Sequence, residues 1–218
     1  MIAHYHRQIT LASLNSEFSP AALETIITYN LKQDSLRGLI GHPEYHYDDS
    51  LIAEGNEYVR QQRHNLWREL SRSYDPSPAW QAFGRITHAV QDFYAHSNYV
   101  ALWIQKSSEP DGKWQPARVQ QPRAHLIDPL DTLILEHPEL KSGKIYYPWE
   151  ALAFFPIFVP LLKRLLPRDS HTWMNLDSPK SGSQFYFAYE AARKRTAYEY
   201  QLIHQKLTPE QALRFSGM

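Results

Sequence analysis

Phe83-Gly84-Arg85-Ile86-Thr87-His88-Ala89-Val90-Gln91-Asp92-Phe93-Tyr94-Ala95-His96-Ser97-Asn98-Tyr99-Val100 is the stretch on which the reading of this chain turns. His88, Asp92 and His96 fall at i, i+4 and i+8. Four residues turn an α-helix by about 400°, so each step drifts only about 40° around the axis. The three polar side chains therefore share one face. Apolar residues share it too, so it should point inward. Two imidazoles and a carboxylate on an inward face need a partner, and a divalent metal is the most economical one. The plain alternative is a buried helix whose histidines bond to backbone or water. Three such groups in a row weigh against it, because buried polar groups left unsatisfied are costly.

At a rise of about 1.5 Å per residue, His88 and His96 stand about 12 Å apart along the helix. That is too far for both to bind one ion comfortably. Asp92 lies between them and has two oxygens. The spacing points to a carboxylate bridging two ions about 3.5–4 Å apart, with one histidine on each.

The 218 residues suggest one large domain or at most two small ones. The absence of cysteine excludes disulfides, thiolate metal sites and cysteine nucleophiles. Lys+Arg and Asp+Glu both number 23, so no global field favours nucleic acid or an anionic membrane. Eleven histidines without thiols favour nitrogen and oxygen ligands for any metal. Met1 to Arg7 lacks a basic region followed by an apolar core, so no secretory signal peptide is read. The expected location is cytoplasmic, with signal-less secretion as the exception.

The remainder reads as helices almost throughout. Ser19-Pro20 opens one, with Ser as N-cap and Pro in the first turn, running to about Lys32. Asp48-Asp49-Ser50 opens a longer one to about Arg72, with both aspartates as caps. Ser77-Pro78 starts the motif helix, expected to run to about Gln105. A Pro-, Ser- and Gln-rich loop spans about 107–124. Ser183 to about Gln205 is a long helix whose Arg193-Lys194-Arg195 run reads as solvated, and Thr208-Pro209-Glu210 opens a short last one. No strand alternation of useful length appears. The expectation is a single all-α, multi-helix domain over 1–218.

Ala151 to Leu162 is too short to span a bilayer, and Pro156 and Pro160 interrupt it. It reads either as a kinked core helix or as an apolar surface for a lipid-like substrate, with Lys163 and Arg164 near a headgroup. Upstream, Asn30…Asp34 ends a helix, and His42-Pro43-Glu44-Tyr45-His46 follows in a loop. His46 is the best third ligand from outside the motif helix, and Asp34 a base or ligand.

His88-x3-Asp92-x3-His96-Ser97-Asn98-Tyr99 resembles the signature of bacterial and fungal heterokaryon-incompatibility (HET-C-like) proteins, which are similar to the zinc-dependent phospholipase C and S1/P1 nuclease superfamily. The resemblance extends upstream through His6, Asn30…Asp34 and Pro43-Glu44-x-His46. It implies an all-α fold and one to three zinc ions, with calcium as the alternative. His46, His88 and Asp92 would hold one ion, His96 would help hold a second, and His6 with Asp92 would support a third. Asp34 would be the general base. Ser97, Asn98 and Tyr99 would orient the imidazoles from behind. The downstream ligands would come from His171, Asp177 or Glu190.

The function expected from this resemblance is a metal-dependent phosphoester hydrolase. A small-molecule or lipid phosphoester would be its substrate, with peripheral membrane contact. Metal-bound water would be the nucleophile. A non-catalytic HET-C-like toxin or interaction protein with a structural metal is the alternative, and a single-strand nuclease the second. Nucleic acid is disfavoured by the lack of a basic excess.

Overall fold

In the computed structural model every residue from Ile86 to His96 is buried, so the motif helix is enclosed on all sides. The structure describes residues 1–107, 121–154 and 156–218; nearly all of the loop expected at 107–124 lies outside them. The helices are α1 (Ala3–Leu14), α2 (Pro20–Leu31), α3 (Leu36–Leu39), α4 (Ile52–Arg72), α5 (Ser77–His96), α6 (Tyr99–Ser107), α7 (Thr132–Leu135), α8 (Val159–Leu165), α9 (His171–Met174), α10 (Phe185–His204) and α11 (Pro209–Ser216). Short 3-10 turns join several of them. Two isolated bridges, Ser97 with Ser142 and Lys144 with Ser170, are the β-pairings among the described residues. The all-α expectation is borne out.

The central helix α5 is covered by α2, α4 and α10, and α1 packs on α10 and α2. The sequence explains each packing face. α4 buries Gly55, Tyr58, Val59, Leu66 and Leu70, one stripe of an otherwise polar helix. α10 turns Ala188, Ala191 and Ala192 inward, and these small residues allow close approach to α5. Ser19 caps α2 as expected, its hydroxyl accepting from the Ala22 N–H at 3.3 Å. Thr208 and Gln211 form a reciprocal capping box at α11.

Gly84 sets the α2–α5 distance. A Cβ there would stand 2.4 Å from the Ile26 carbonyl oxygen and 3.0 Å from the Asn30 backbone nitrogen. Neither backbone atom can give way without moving α2. Gly84→Ala is expected to destabilise the fold by about 1–3 kcal/mol, the usual cost of overpacking. Denaturant unfolding reads this directly, and an unchanged midpoint would contradict the close approach.

Several local expectations need correction. The motif helix stops at His96 instead of running to Gln105. Ser97 is extended (φ −99°, ψ 166°). It pairs with Ser142, while the Asn98 N–H donates to the Lys141 carbonyl at 2.9 Å. The pairing with 141–142 diverts the backbone before α6 resumes. α4 starts at Ile52, after Leu51, without a side-chain cap, so Asp48 and Asp49 do not cap it. The Ala151 to Leu162 segment is not one kinked core helix but falls across two 3-10 turns and the start of α8. Of α8, only Leu162 is buried. The Arg193-Lys194-Arg195 run is not simply solvated either. Arg195 and Arg63 both donate to the fully buried Glu199 carboxylate, at 2.8 and 2.7 Å. Lys194 donates to the His125 and Ile127 carbonyls at 2.6 and 2.8 Å.

Candidate metal centre

The α5 face carries His88, Asp92 and His96 into the middle of the bundle, all three buried. Asp92 is the hub. Its Oδ2 lies 2.9 Å from His46 Nδ1 and 2.9 Å from His88 Nε2. Its Oδ1 lies 3.1 Å from His6 Nε2 and 3.8 Å from His96 Nε2. The Met1 amino group also donates to Oδ1. The carboxylate thus looks both ways along the helix, as the i, i+4, i+8 spacing requires.

Four segments deliver the partners. α1 brings His6, whose ring stacks on His88 with centroids 4.4 Å apart. The turn after α2 brings Asp34, and the Pro43–Tyr45 turn brings His46. His46 Nδ1 and His88 Nε2 face each other at 3.0 Å. Asp34 Oδ1 stands 3.9 and 3.7 Å from these two nitrogens. Asp34 is the open edge of the group, its side chain 34% exposed. Asp34, His46, His88 and Asp92 each offer a ligand atom within 4.8 Å of the others.

A second group lies at the end of α5. Asp48, His96 and His171 offer atoms within the same 4.8 Å limit. His96 Nδ1 is 3.1 Å from Asp48 Oδ1, and His171 Nε2 is 3.8 Å from that oxygen. Asp177 Oδ1 lies 3.2 Å from His96 Nε2 and 3.2 Å from the Met1 amino nitrogen. Asp48 Oδ1 is buried, and these two imidazoles are its neighbours in place of a well-directed hydrogen bond.

The backbone around Asp48 is built for this. Tyr47, Asp49 and Ser50 all have positive φ (57°, 56° and 59°), costly for residues with a Cβ. The 142–145 segment holds them there. The Asp49 N–H donates to the Gly143 carbonyl at 2.8 Å, and the Asp49 carboxylate accepts from the Ile145 N–H at 2.6 Å. The Ser50 N–H donates to the Ser142 hydroxyl at 2.9 Å. Gly143 permits the other contact of this segment: a Cβ there would meet the His171 Cα at 2.6 Å. One extended segment therefore positions both Asp48 and His171.

The outer contacts are not those expected. Ser97 Oγ accepts from the Tyr99 N–H, Asn98 bonds to the 139–141 backbone, and Tyr99 donates to the Asp128 carbonyl. None orients an imidazole. Gln91 does so instead, its Oε1 lying 2.6 Å from His6 Nδ1. The Gln91 amide is itself held by Asn30, Thr10 and Thr196. The His46 carbonyl oxygen, 3.1 Å from His96 Nδ1, does the same for His96.

Charge follows this geometry. Burial favours neutral Asp92, yet the Met1 ammonium and the surrounding histidines hold its carboxyl well below the ordinary range. Burial pushes His88 down to about 4, against the pull of Asp92. His96 moves the other way: despite burial, Asp92 and Asp48 hold it well above the usual imidazole value. His46 is raised too, burial being outweighed by its contact with Asp92. Burial also opposes the Met1 ammonium, but Asp92 and Asp177 raise it to about 11. The buried carboxylates thus hold the ammonium and two of the imidazoles in their charged forms against the cost of burial.

The sequence-selected His6, His46, His88, Asp92, His96 and Asp34 thus come together. Asp48, His171 and Asp177 join them. Of these, Asp48 reads in the sequence as a cap, and His171 and Asp177 only as loose candidates. Glu190, the third downstream candidate, is instead paired with Arg193 at 2.6 Å.

Fold and site define an all-helical domain with a buried His–Asp centre of two ligand groups. Residues 4–111 match the family model described as the VWA7 N-terminal domain. The chain is similar to human von Willebrand factor A domain-containing protein 7, with 34% identity over 112 residues, 50% of this chain and 12% of that protein. The rat protein of the same name is 32% identical over 112 residues, covering 50% of this chain and 12% of its own length. The mouse protein is 35% identical over 83 residues, covering 38% of this chain and 9% of its own length. The chain therefore spans only about an eighth or less of these relatives. No solved structure matches it.

These matches overturn the HET-C-like and phospholipase C/S1-P1 resemblance. The phospholipid-directed phosphoester hydrolase, the toxin and the single-strand nuclease fall with it. The physical reason is that an i, i+4, i+8 pattern reports a shared helix face, which any helix burying polar groups displays. It does not report a reaction. Asp34 loses its role as general base of that hydrolysis and keeps its place beside His46 and His88.

Proposed function

We propose that this chain is a divalent-metal-binding helical domain. Asp34, His46, His88 and Asp92 hold one ion. Asp48, His96 and His171, with Asp177 beside them, hold a second. His6 supports Asp92 from its Oδ1 side. The donors are nitrogen and oxygen only, a set that suits first-row divalent metals.

The observation that carries this reading is the meeting of His46 Nδ1, His88 Nε2 and Asp92 Oδ2 within 2.9–3.0 Å of one another. A single shared proton satisfies one pair of these atoms, not all three. Ligand atoms around a tetrahedral ion with bonds of about 2.0–2.1 Å stand about 3.3 Å apart, close to the observed spacing. The approach of His96 Nδ1 and His171 Nε2 to the one oxygen Asp48 Oδ1, at 3.1 and 3.8 Å, is the parallel observation for the second group.

Bound ions would join segments far apart in sequence: the turns carrying Asp34, His46 and Asp48, helix α5, and the 171–177 stretch. Binding would then contribute directly to folding. Elemental analysis of the chain purified without added metal tests this. At least one equivalent of a divalent first-row metal is expected. No metal, combined with no uptake by chelator-treated protein, would overturn the proposal.

A further inference from the structure

None of the side chains assigned to the metal centre comes from residues 145–169. This stretch is an excursion pinned at its base. The Lys144 N–H donates to the Asp169 carbonyl at 2.8 Å, and the His171 N–H to the Lys144 carbonyl at 2.8 Å. Inside the base, the buried Glu150 carboxylate accepts from the Tyr146 and Thr172 N–H groups, both at 2.7 Å. Outside it, Tyr147, Trp149, Ile157, Leu161 and Leu165 are exposed, Ile157 at 81% and Leu165 at 68%. Leu161 and Leu165 lie one turn apart on α8 and are exposed, next to the buried Leu162.

The two acidic groups of the excursion sit at its base, Glu150 on the Tyr146 and Thr172 N–H groups and Asp169 on Tyr146 and Lys144, and its outer part carries one sign of charge. From Ala151 to Arg168 there is no Asp or Glu, while Lys163, Arg164 and Arg168 are all basic. Lys163 and Arg168 both stand over the Trp173 ring, at 5.3 and 3.8 Å from its centroid. Aromatic and aliphatic side chains projecting from a pinned loop, flanked by cations, are the composition of an interfacial membrane anchor. No helix among the described residues is long and apolar enough to cross a membrane, so the contact is superficial.

We propose that this excursion docks, through Tyr147, Trp149, Ile157, Leu161 and Leu165, on the surface of an anionic phospholipid bilayer. The apolar side chains enter the headgroup boundary, and the cations meet the acidic headgroups. A second copy of the chain fits less well. A two-fold interface sets a patch against itself, so Lys163, Arg164 and Arg168 would face their own like charges. A bilayer containing phosphatidylserine offers the opposite sign over its whole area. The inference is independent of the metal centre and should survive chelation.

The test is vesicle co-sedimentation of the full chain, with and without chelator. Vesicles are phosphatidylcholine alone or phosphatidylcholine with phosphatidylserine. Binding is expected only to the second kind, and to weaken with salt. The Ile157→Glu/Leu161→Glu double variant should lose at least tenfold in bound fraction while keeping its helical circular dichroism. Lys163→Glu/Arg164→Glu should abolish the preference for phosphatidylserine. In the unmutated chain, tryptophan emission should shift to the blue on binding, and Trp149→Phe should diminish that shift. Failure to bind either vesicle overturns the proposal. So does undiminished binding by the Ile157→Glu/Leu161→Glu variant. Concentration-dependent self-association without vesicles, lost in that variant, would make the patch a self-interface and overturn it as well.

Discussion

Asp92→Asn is expected to be the most damaging single substitution in this chain. The change keeps size and shape and removes one negative charge from the hub of the centre. In the unmutated chain that charge faces the Met1 ammonium, His6, His46, His88 and His96. Without it, the raised protonation of His46 and His96 loses its largest electrostatic support. Cations left buried without a counter-charge cost about 3–5 kcal/mol. The metal-free variant should therefore unfold at distinctly lower denaturant, and uptake by the first ligand group should disappear. Asp34→Asn is the partner experiment. Asp34 sits at the partly exposed edge. Its substitution should weaken uptake while changing metal-free stability by less than about 1 kcal/mol, as for other exposed charge contacts. If Asp92→Asn kept both its stability and its metal content, neither the hub nor the proposed centre would stand.

The second large effect is the response of thermal stability to metal and pH. A ligand that binds only the folded chain at 100 times its dissociation constant stabilises by about 2.7 kcal/mol. For a chain of this size that is roughly 5–10 °C in Tm. Titrating chelator-treated protein with manganese, cobalt and zinc salts in turn should show such a rise for at least one of them. The rise should grow with pH. In the metal-free protein His46 and His96 have folded pKa values above the unfolded imidazole value of about 6.5. Their contribution to stability is thus fully present below about pH 6.5 and is lost as pH rises through the raised values. Bound metal requires the same rings without their protons, so at low pH it must displace them. His88, pushed down to about 4, is already neutral and adds no competing proton above that pH. The metal-induced increment in Tm should therefore be small at pH 5.5 and larger at pH 7.5. An increment that fell over this range would mean that His46 and His96 are not ligands.

Much of the centre is legible in the sequence. The i, i+4, i+8 rule places His88, Asp92 and His96 on one face whatever surrounds them, and they do share a buried hub. His46 and Asp34 are legible as candidates because they sit in turns that follow a helix, where ligands from outside the motif helix can approach it. The contacts of the second group are not. Asp48 reads as a cap because Asp before a helix usually is one. Its carboxylate is turned inward by positive φ at Tyr47 and Asp49, which the 142–145 segment enforces from a distance. His171 reaches the centre only because Gly143 lets that segment pass close to it.

The chemistry is the least legible part. Residue types at helical spacing state which atoms can meet, and the matched relatives show that they do not state the family. The all-α class and the shared inward face of His88, Asp92 and His96 were determined by the sequence itself, because helix periodicity and the cost of buried charge are local properties of the chain. The end of α5 at His96, the recruitment of Asp48, His171 and Asp177, and the outward face of α8 were decided by the tertiary structure alone. Each depends on backbone pairing or burial between residues far apart in sequence, and no local pattern encodes which distant segment will arrive.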